Sequence, residues 1–478
     1  MDKNILNGKK HIHFIGIGGS GMYPLAQILH NKGYYLTGSD NNETETLQAV
    51  RDMGIPVMVG QRAENIEGAD LIVHTAAIMA DNPELIAAKA SGVPVLERSD
   101  LLGIITSWYK NAICISGTHG KTTTTSMATQ ILYEAGVDLS AYIGGKLDCI
   151  HGSGVAGKSD IMTCESCEFV DHFLKLDPDI AVVLNVDEDH IDYFKNLENI
   201  IKSFHQFCLN ANKAIIVNGD DANSMKAVEG VEGKETITFG TSEKNDYYAK
   251  NIRQVNGLET HYDAYHKGER LGEVVLHVAG VHNVLNSLAA IVSVMYVGVS
   301  FADAVKGIAD FRGAKRRFEK FGVVNDITVC DDYAHHPTEL AATLTAAKSM
   351  GFRNVWAVFQ PFTFSRTYLL LDDFAKALSI ADRVVLTDIM GSREKNTYNI
   401  FTRNLAEKID GAIYFKQDET VEQTDERKYK NFDDVRDYVA EHAQPGDLVI
   451  TLGCGDAYKI SKSLLKVLEE KQKKELEK

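Results

Sequence analysis

The stretch Ser116-Gly117-Thr118-His119-Gly120-Lys121-Thr122-Thr123 limits what this chain can fold into more than any other. It follows a short apolar run, 111–115, that reads as a buried parallel strand, and it leads into a helix expected over 123–135 and ended by Gly136. A strand, a Gly-rich turn and a helix N-terminus together form a phosphate cradle. Backbone N–H groups and the helix dipole attract the anion, the lysine reaches the outer phosphates, and the Thr122 hydroxyl can ligate magnesium. The spacing Gly-x-x-Gly-Lys-Thr is two residues shorter than the usual P-loop. The Lys-Thr pair directly after the second glycine separates it from an ordinary strand–helix turn.

At 478 residues the chain has room for about three domains of ~150 residues. Its formal charge of −16 is spread along the chain, and basic clusters such as Lys315-Arg316-Arg317 are short. This speaks against nucleic acid as a partner, since a binder of that kind presents a basic face. Seven scattered cysteines do not make a disulfide framework; their odd number, with no secretory leader in view, fits a reducing cytoplasm. Cys164-x-x-Cys167 lacks a second cysteine pair and is weak evidence of zinc or redox use. The most apolar long run, 287–305, holds serines, Gly298 and Asp303, so it is expected to be a buried helix broken at the glycine, not a membrane span. The Lys/Glu-rich tail from Glu469 reads as a solvated helix end.

The first segment, through about Trp108, alternates strands and helices. The run 11–17 is strand-like, Gly16-x-Gly18-Gly19-x-Gly21 follows at once, and a helix over 22–31 precedes a strand over 34–37 that ends near Asp40. A strand, G-x-G-x-x-G and an acid about twenty residues on form a dinucleotide fingerprint. The glycines let the backbone approach a diphosphate, and Asp40 is placed to bind a ribose hydroxyl. NAD, FAD, any nucleotide diphosphate and a bare tight turn all stay open. Strands over 70–75 and 93–96 complete a small parallel sheet, with His74 and Thr75 at a strand's C-terminal end, where ligands bind in open α/β sheets.

After the phosphate loop, strands are expected over 160–163, 180–185 and 214–217. The second is apolar throughout, as in a strand covered on both faces. It feeds Val186-Asp187-Glu188-Asp189-His190. With Glu165, Glu168 and Thr122, these side chains suit one or two magnesium ions (Mg2+) beside phosphate; a solvated face explains either glutamate equally well. The stretch 236–277 reads as short strands in a small antiparallel excursion. Gly280-x-His282-Asn283-x-x-Asn286 opens the apolar helix, its polar residues being either caps or ligand contacts. From about Gly313 a third α/β unit is expected, with strands over 328–332, 354–360, 383–387 and 448–452 and with loops at Arg316-Arg317, Asp332–Pro337 and Pro361. Gly453-x-Gly455 lacks a third glycine in register, and close packing explains it as well as a ligand does.

Five motifs in this order resemble the Mur ligases, which build the peptide stem of bacterial peptidoglycan. They are the loop 117–125, Gly280-x-His282-Asn283-x-x-Asn286, Arg316-Arg317-Phe318, Asp331-Asp332-Tyr333-Ala334-His335-His336-Pro337-Thr338-Glu339, and Phe359-Gln360-Pro361 with Ser365-Arg366-Thr367. The resemblance covers roughly 10–462, and the first glycine loop fits the branch that adds L-alanine. It implies an α/β fold of three domains. A Rossmann-like domain, 1–108, would hold UDP-N-acetylmuramate; a P-loop domain, 109–312, would hold ATP; a Rossmann-like C-terminal domain, 313–478, would close over the site and bring the amino acid. In that light Gly16, Gly18, Gly19, Ser20, Gly21, Asp40, His74 and Thr75 would bind the UDP-sugar, and Gly117, Thr118, His119, Gly120, Lys121, Thr122 and Thr123 the ATP phosphates. His282, Asn283 and Asn286 would lie near ATP, and Arg317 would approach the phosphates. Thr122, Glu168 and His190 would hold Mg2+; Glu168 is preferred to Glu165 because it stands five residues before Phe173-Leu174. Tyr333, His335 and Arg366 would face the sugar or the amino acid. The implied reaction is ATP-dependent amide formation between L-alanine and the UDP-N-acetylmuramate carboxylate through an acyl phosphate, by a cytoplasmic monomer or homodimer with no membrane partner.

The chain departs from the family where Phe362 replaces a common histidine, and where Cys167 and Val170 replace common aspartates. No counterpart of the carbamoylated lysine of sister ligases is evident; His205 lies about where it would fall. The nearest alternative is a sister ligase, including the recycling enzyme that attaches an intact tripeptide. A nicotinamide-dependent dehydrogenase would leave the phosphate loop, Glu168, His190 and the third domain unexplained. A non-catalytic nucleotide binder would keep Lys121 without needing the acids.

Overall fold

The apolar run before the phosphate loop is the strand Asn111–Ser116, with Ile180–Val183 beside it in parallel, Ile113 opposite Ile180 and Ser116 opposite Val183. The side chains 180–183 are fully buried because helices cover both faces of this part of the sheet. Ile180, Val182 and Val183 each contribute about 1.5–3 kcal/mol relative to exposure. A computed structural model describes residues 2–76, 78–189, 191–255, 259–278, 280–391, 394–415 and 425–476. Its chain divides into two compact units, Met1–Ala314 and Lys315–Lys478. Among the described residues there are three sheets, two in the first unit and one in the second.

The first sheet is all parallel, ordered Val57–Val59, Tyr35–Asp40, His11–Ile15, Leu71–His74, Val95–Glu97. The chain begins at the middle strand, builds outward to one side and then to the other. The order therefore reverses at His11–Ile15, whose C-terminal end runs straight into Gly16. Ligands of open α/β sheets bind at such a reversal. Asp40 and His74 end the two flanking strands, so the topology brings them to the same edge as Gly16.

The central sheet runs Glu269–Leu276, Thr260–His266, Tyr247–Gln254, Glu235–Gly240, Ala214–Asn218, Ile180–Val183, Asn111–Ser116, Ile161–Glu165, Ser140–Leu147, Gly152–Val155. Its middle is parallel, and antiparallel pairs finish both ends. The stretch 236–277 thus continues the parallel sheet with Glu235–Gly240 and Tyr247–Gln254 and then adds two antiparallel strands. Ser140–Leu147 and Gly152–Val155 have no expectation in the sequence reading. The helix after the phosphate loop is Lys121–Glu134, packed against Val281–Tyr296 and Phe301–Ala309. These last two are the apolar run broken at Gly298, whose φ of +101° suits glycine. Gly307 permits the close crossing, since a Cβ there would lie 2.9 Å from Ile131 Cα.

The second unit's sheet is ordered Glu319–Val324, Ile327–Asp332, Leu448–Leu452, Val355–Phe359, Arg383–Leu386, Ile413–Tyr414, parallel except for its first pair. Alternation along Leu448–Leu452 sends Leu448, Ile450 and Leu452 to one core and Val449 to the other. Leu340, Leu344 and Phe374 complete the first core; Val435, Val439, Ile460 and Leu464 complete the second. Gly453-x-Gly455 packs against Gln360, whose carbonyl would be 2.8 Å from a Cβ on Gly453 and whose side chain accepts the Asp456 N–H at 3.0 Å. Close packing accounts for both glycines. All seven cysteines are free thiols. Among the described residues no helix is long and apolar enough to cross a membrane.

Candidate active site

Gly120, at φ +86°, caps the helix Lys121–Glu134, and no side chain caps it in addition, so its first-turn N–H groups face the loop. A Cβ on Gly120 would come within 2.5 Å of Asn286 Oδ1, and one on Gly117 within 2.9 Å of Leu184 Cβ. The loop is laced to the end of the neighbouring strand. Asn185 accepts the His119 N–H (2.8 Å) and donates to the His119 carbonyl (3.0 Å), while the Thr118 hydroxyl accepts the Asp187 N–H (2.9 Å). Part of the polar run after Ile180–Val183 therefore holds the loop's shape. Asn286 donates to Asn283 (3.2 Å), which places both beside Gly120; His282 folds its ring over Gly280 at the start of the same helix. Thr123 lies on the first turn, behind Lys121 and Thr122.

Lys121 Nζ turns back onto its own loop, donating to the carbonyls of Gly117 (2.6 Å) and Thr118 (3.0 Å) and to Glu168 Oε1 (3.0 Å). Burial would lower its pKa, but Glu168, Cys167 and Glu165 outweigh burial and raise it, so the side chain is an ammonium. Glu168 is buried. Its Oε2 lies 2.8 Å from Nζ yet makes no hydrogen bond of acceptable geometry. Glu165 accepts the Thr122 hydroxyl (2.9 Å) and the Gly144 N–H (2.7 Å). The structure thus brings both glutamates to the Lys-Thr pair. The resemblance favours Glu168 by its spacing to Phe173-Leu174 and leaves the part of Glu165 open. The parallel pairing of Ile161–Glu165 with Asn111–Ser116, Ile115 opposite Glu165, is the signal that places Glu165 at the loop. The segment after Glu168 is strained: Val170 and Asp171 have φ of +51° and +56°, costly for a β-branched residue. Asp171 holds the turn by accepting from Tyr193 (2.6 Å) and Ser203. His190 lies outside the described residues. His205 bonds the Ala227 carbonyl at 2.9 Å.

These donors fit a hard cation. Thr122, Glu165 and Glu168 offer oxygen only, and Glu168 Oε2, buried and ion-paired with Lys121 at 2.8 Å, would open to an ion when Lys121 turns to phosphate. Among the described residues no group of three or more His, Cys, Asp or Glu side chains is assembled for a metal. The site would need the Thr122 hydroxyl, phosphate oxygens and water to complete it.

In the first loop, Gly16 has φ +84°, and a Cβ there would lie 2.7 Å from Thr75 Cγ2. Asp40 accepts the N–H of Gly18 (3.0 Å) and of Asn42 (3.1 Å), so it ties the loop to the end of its own strand. Gly19 N–H donates to the Gly16 carbonyl (3.1 Å), the Ser20 carbonyl accepts from Ser153 (3.1 Å), and His74 Nδ1 lies 3.1 Å from the Thr75 carbonyl. A Cβ on Gly21 would meet Tyr142 Oη at 2.6 Å and Arg98 at 3.1 Å. Neither Arg98 nor Tyr142 is flagged by any motif.

In the second unit Arg317 lies 5.4 Å from the Tyr333 ring and 4.0 Å from Glu339, which also accepts the His335 N–H (3.0 Å). Burial would raise the Glu339 carboxyl, but His335 and Arg317 hold it well below the usual carboxylate range. Asp332 is pushed up to about 6 by burial, against Arg317 and the N–H groups of Ala334 and Phe318. Arg316 is a structural residue: it donates to Asp331 (2.9 Å) and to the carbonyls of Gly453 (2.5 Å) and Cys454 (3.3 Å), stacked between Tyr333 and Tyr458. His335 stands edge-on to Tyr333 at 5.5 Å and to Phe362 at 6.3 Å. Arg366 Nη1 is buried with no hydrogen-bond partner among the described residues, which suits a guanidinium that awaits an anion. Glu339, which joins Arg317 to His335, was present in a quoted motif but given no role by the sequence. It also forms the capping box with His336 at the helix Pro337–Ser349.

Three family descriptions match the chain in order: "Mur ligase family, catalytic domain" over 11–110, "Mur ligase middle domain" over 115–294, and "Mur ligase, glutamate ligase domain" over 316–455. A UDP-N-acetylmuramate–L-alanine ligase of Caldanaerobacter subterraneus subsp. tengcongensis is 42% identical over 466 residues, 97% of this chain and 98% of that protein. The crystal structure of the UDP-N-acetylmuramate-alanine ligase from Thermotoga maritima aligns with a TM-score of 0.78 at 26% identity, covering 97% of this chain and 100% of that one. A murein peptide ligase from Psychrobacter arcticus shares the fold with a TM-score of 0.71 at 24% identity, over 96% and 98% of the two chains.

Proposed function

The chain belongs to the Mur ligase family, and on that premise we propose the reaction that its two glycine loops serve. It is an ATP-dependent ligase that joins L-alanine to the carboxylate of UDP-N-acetylmuramate in peptidoglycan synthesis. The observation that carries this reading is one compact unit with two strand–loop–helix anion sites, only one of which has a lysine and acids for phosphoryl transfer. A UDP-sugar and ATP account for both.

In this reading the lactyl carboxylate attacks the γ-phosphorus of ATP, ADP leaves, and the amine of L-alanine displaces phosphate from the acyl phosphate. Two anions must meet, so positive charge is needed where negative charge collects. Lys121 supplies it at the β- and γ-phosphates after exchanging the carbonyls of Gly117 and Thr118 for phosphate oxygens. The first-turn N–H groups after Gly120 hold the phosphates, and Asn283, Asn286 and His282 flank the nucleotide. Mg2+, when bound, would neutralise phosphate oxygens, with Thr122, Glu168, Glu165 and His190 as its protein ligands or their supports. Residues 16–21 with Asp40, His74 and Thr75 hold the UDP-sugar. Arg317, His335 and Arg366 handle the incoming amino acid and the departing phosphate, and Tyr333 walls the same cluster. We assign these roles to domains 1–108, 109–312 and 313–478. The free thiols and the absence of a membrane-crossing helix among the described residues support a cytoplasmic protein, as monomer or homodimer.

The test supplies ATP, Mg2+ and UDP-N-acetylmuramate with a panel of amine acceptors and reads the product by mass. L-Alanine is expected to give the dominant adduct, above glycine and L-serine. An adduct formed only with an intact stem tripeptide would replace this reading by the recycling activity.

A further inference from the structure

The first loop lacks any basic side chain of its own: residues 16–22 are Gly-Ile-Gly-Gly-Ser-Gly-Met. The acid beside it, Asp40, already accepts the Gly18 N–H. Within the loop a substrate diphosphate would therefore meet backbone N–H groups and the Ser20 hydroxyl but no positive side chain. A cation does stand at this edge. Arg98 opens the helix Arg98–Thr106, directly after the parallel strand Val95–Glu97, at the C-terminal end where Gly16, Asp40 and His74 also lie. Its Cδ and Nη1 would each be 3.1 Å from a Cβ on Gly21, so the guanidinium packs on the last glycine of the loop.

Three observations set Arg98 apart from a structural arginine. No carboxylate lies within ion-pair distance of it among the described residues. Its neighbouring acids are engaged elsewhere, Glu97 with His172 (3.4 Å) and Lys175 (3.7 Å), and Asp100 with Lys175 (2.8 Å). Second, the hydrogen bond that holds its guanidinium among the described residues goes from Nη1 to the Tyr142 hydroxyl, which leaves the remaining N–H donors to a ligand. Third, the residue is only half-buried, and Nε and Nη2, which donate to no described residue, are not among the buried polar atoms lacking partners, so these two donors are open to solvent. A planar guanidinium with donors to spare suits phosphate oxygens.

We propose that Arg98, oriented by Tyr142, is a diphosphate-binding residue of the UDP-substrate site. Tyr142 also ties this site to the other loop. It lies in Ser140–Leu147 opposite Cys164, and two residues on Gly144 donates to Glu165, which in turn receives the Thr122 hydroxyl. One strand thus connects the cation at the handle to the hydroxyl at the ATP loop. The inference rests on the functional reading above.

The test titrates the full chain with UDP and, separately, with UDP-N-acetylmuramate, without ATP, in wild type, Arg98→Met, Arg98→Lys and Tyr142→Phe. ATP affinity serves as the folding control. Arg98→Met is expected to weaken both uridine ligands by a similar factor, about 10- to 100-fold, with ATP affinity within about twofold. Arg98→Lys should lose less, because a lysine gives a point charge without the fork, and Tyr142→Phe should lose about 3- to 10-fold. In turnover the loss should appear in KM for the UDP-sugar and not in KM for ATP. If Arg98→Met fails to fold, the other two variants decide by the same criterion. Unchanged uridine affinity in folded variants overturns the inference and leaves the ligase reading standing. A loss confined to UDP-N-acetylmuramate overturns the diphosphate assignment in favour of the lactyl carboxylate. Wild-type protein that binds neither ligand overturns the ligase reading and this inference together.

Discussion

Residues 16–21 and 117–123 each follow a parallel strand of an α/β sheet and each opens a helix, yet they meet negative charge by different means. The second loop carries its own cation, Lys121, held by two loop carbonyls and by Glu168. The first has an acid on its backbone, Asp40 at Gly18, and takes its cation from another element, Arg98. The difference follows from the work each loop does. A nucleotide that is only a handle needs a shaped backbone and a fixed charge at its rim. A nucleotide that gives up a phosphoryl group needs a charge that can travel with the oxygens, so a long flexible ammonium stands in the loop itself.

The sharpest way to break this comparison is to remove the moving charge. Lys121→Ala should lower kcat by about 10²- to 10³-fold in an ADP-release assay, while UDP affinity stays within about twofold. Equal loss at both nucleotides would mean that the loops are not separate in function. Glu168→Gln should cost about 10- to 100-fold in turnover and raise the Mg2+ concentration needed for half-maximal rate; Glu165→Gln should cost less, since Glu165 positions Thr122. If Glu165→Gln were the more damaging, the ordering of the two acids would reverse. Gly21→Ala forces a Cβ to 2.6 Å from Tyr142 Oη, and the resulting shift of about 1–3 kcal/mol should raise KM for the UDP-sugar roughly 10-fold without changing KM for ATP.

The smallest effect lies in the second unit and leaves both loops unmoved. Asp332 titrates at about 6 because it is buried, above its ordinary 3.8. The folded state therefore holds this proton more tightly than the unfolded state. That stabilisation is full below about pH 4 and is lost as pH rises through about 6. Asp332→Asn removes the titration. The Tm of wild type minus that of the variant should fall by a few degrees (~3–6 °C) between pH 4 and pH 7, with ATP and UDP affinities unchanged. A constant difference across that range would show that Asp332 is ionised throughout.

Much of the scaffold was legible because its signals are local. The apolar runs that became Ile180–Val183 and Leu448–Leu452 are strands covered on both faces, and Gly298 marks the break between two helices. The phosphate loop, Gly16 and Gly21 announce themselves by glycine spacing. What stayed hidden is nonlocal. Ser140–Leu147 contains Gly144-Gly145 and lacks a clean apolar alternation, so nothing marked it as the strand that joins the two loops. Arg98 and Tyr142 are far apart in sequence and meet where the helix Tyr23–Asn31, which follows the first loop, packs on Ser140–Leu147 and Gly152–Val155. By residue type Glu165 and Glu168 look equivalent, and only the spacing to Phe173-Leu174 favours Glu168. Strand pairing directs one to Thr122, while a left-handed turn at Val170 and Asp171 follows the other beside Lys121.

The central claim is that ATP is spent only on the acid carried by a second nucleotide. ADP release, followed with each component left out in turn, tests it most directly. The account predicts ADP formation at the full rate only with UDP-N-acetylmuramate and L-alanine both present, in a one-to-one ratio with the amide product. ADP released at the same rate from ATP alone, or nicotinamide turnover without ATP, would contradict it.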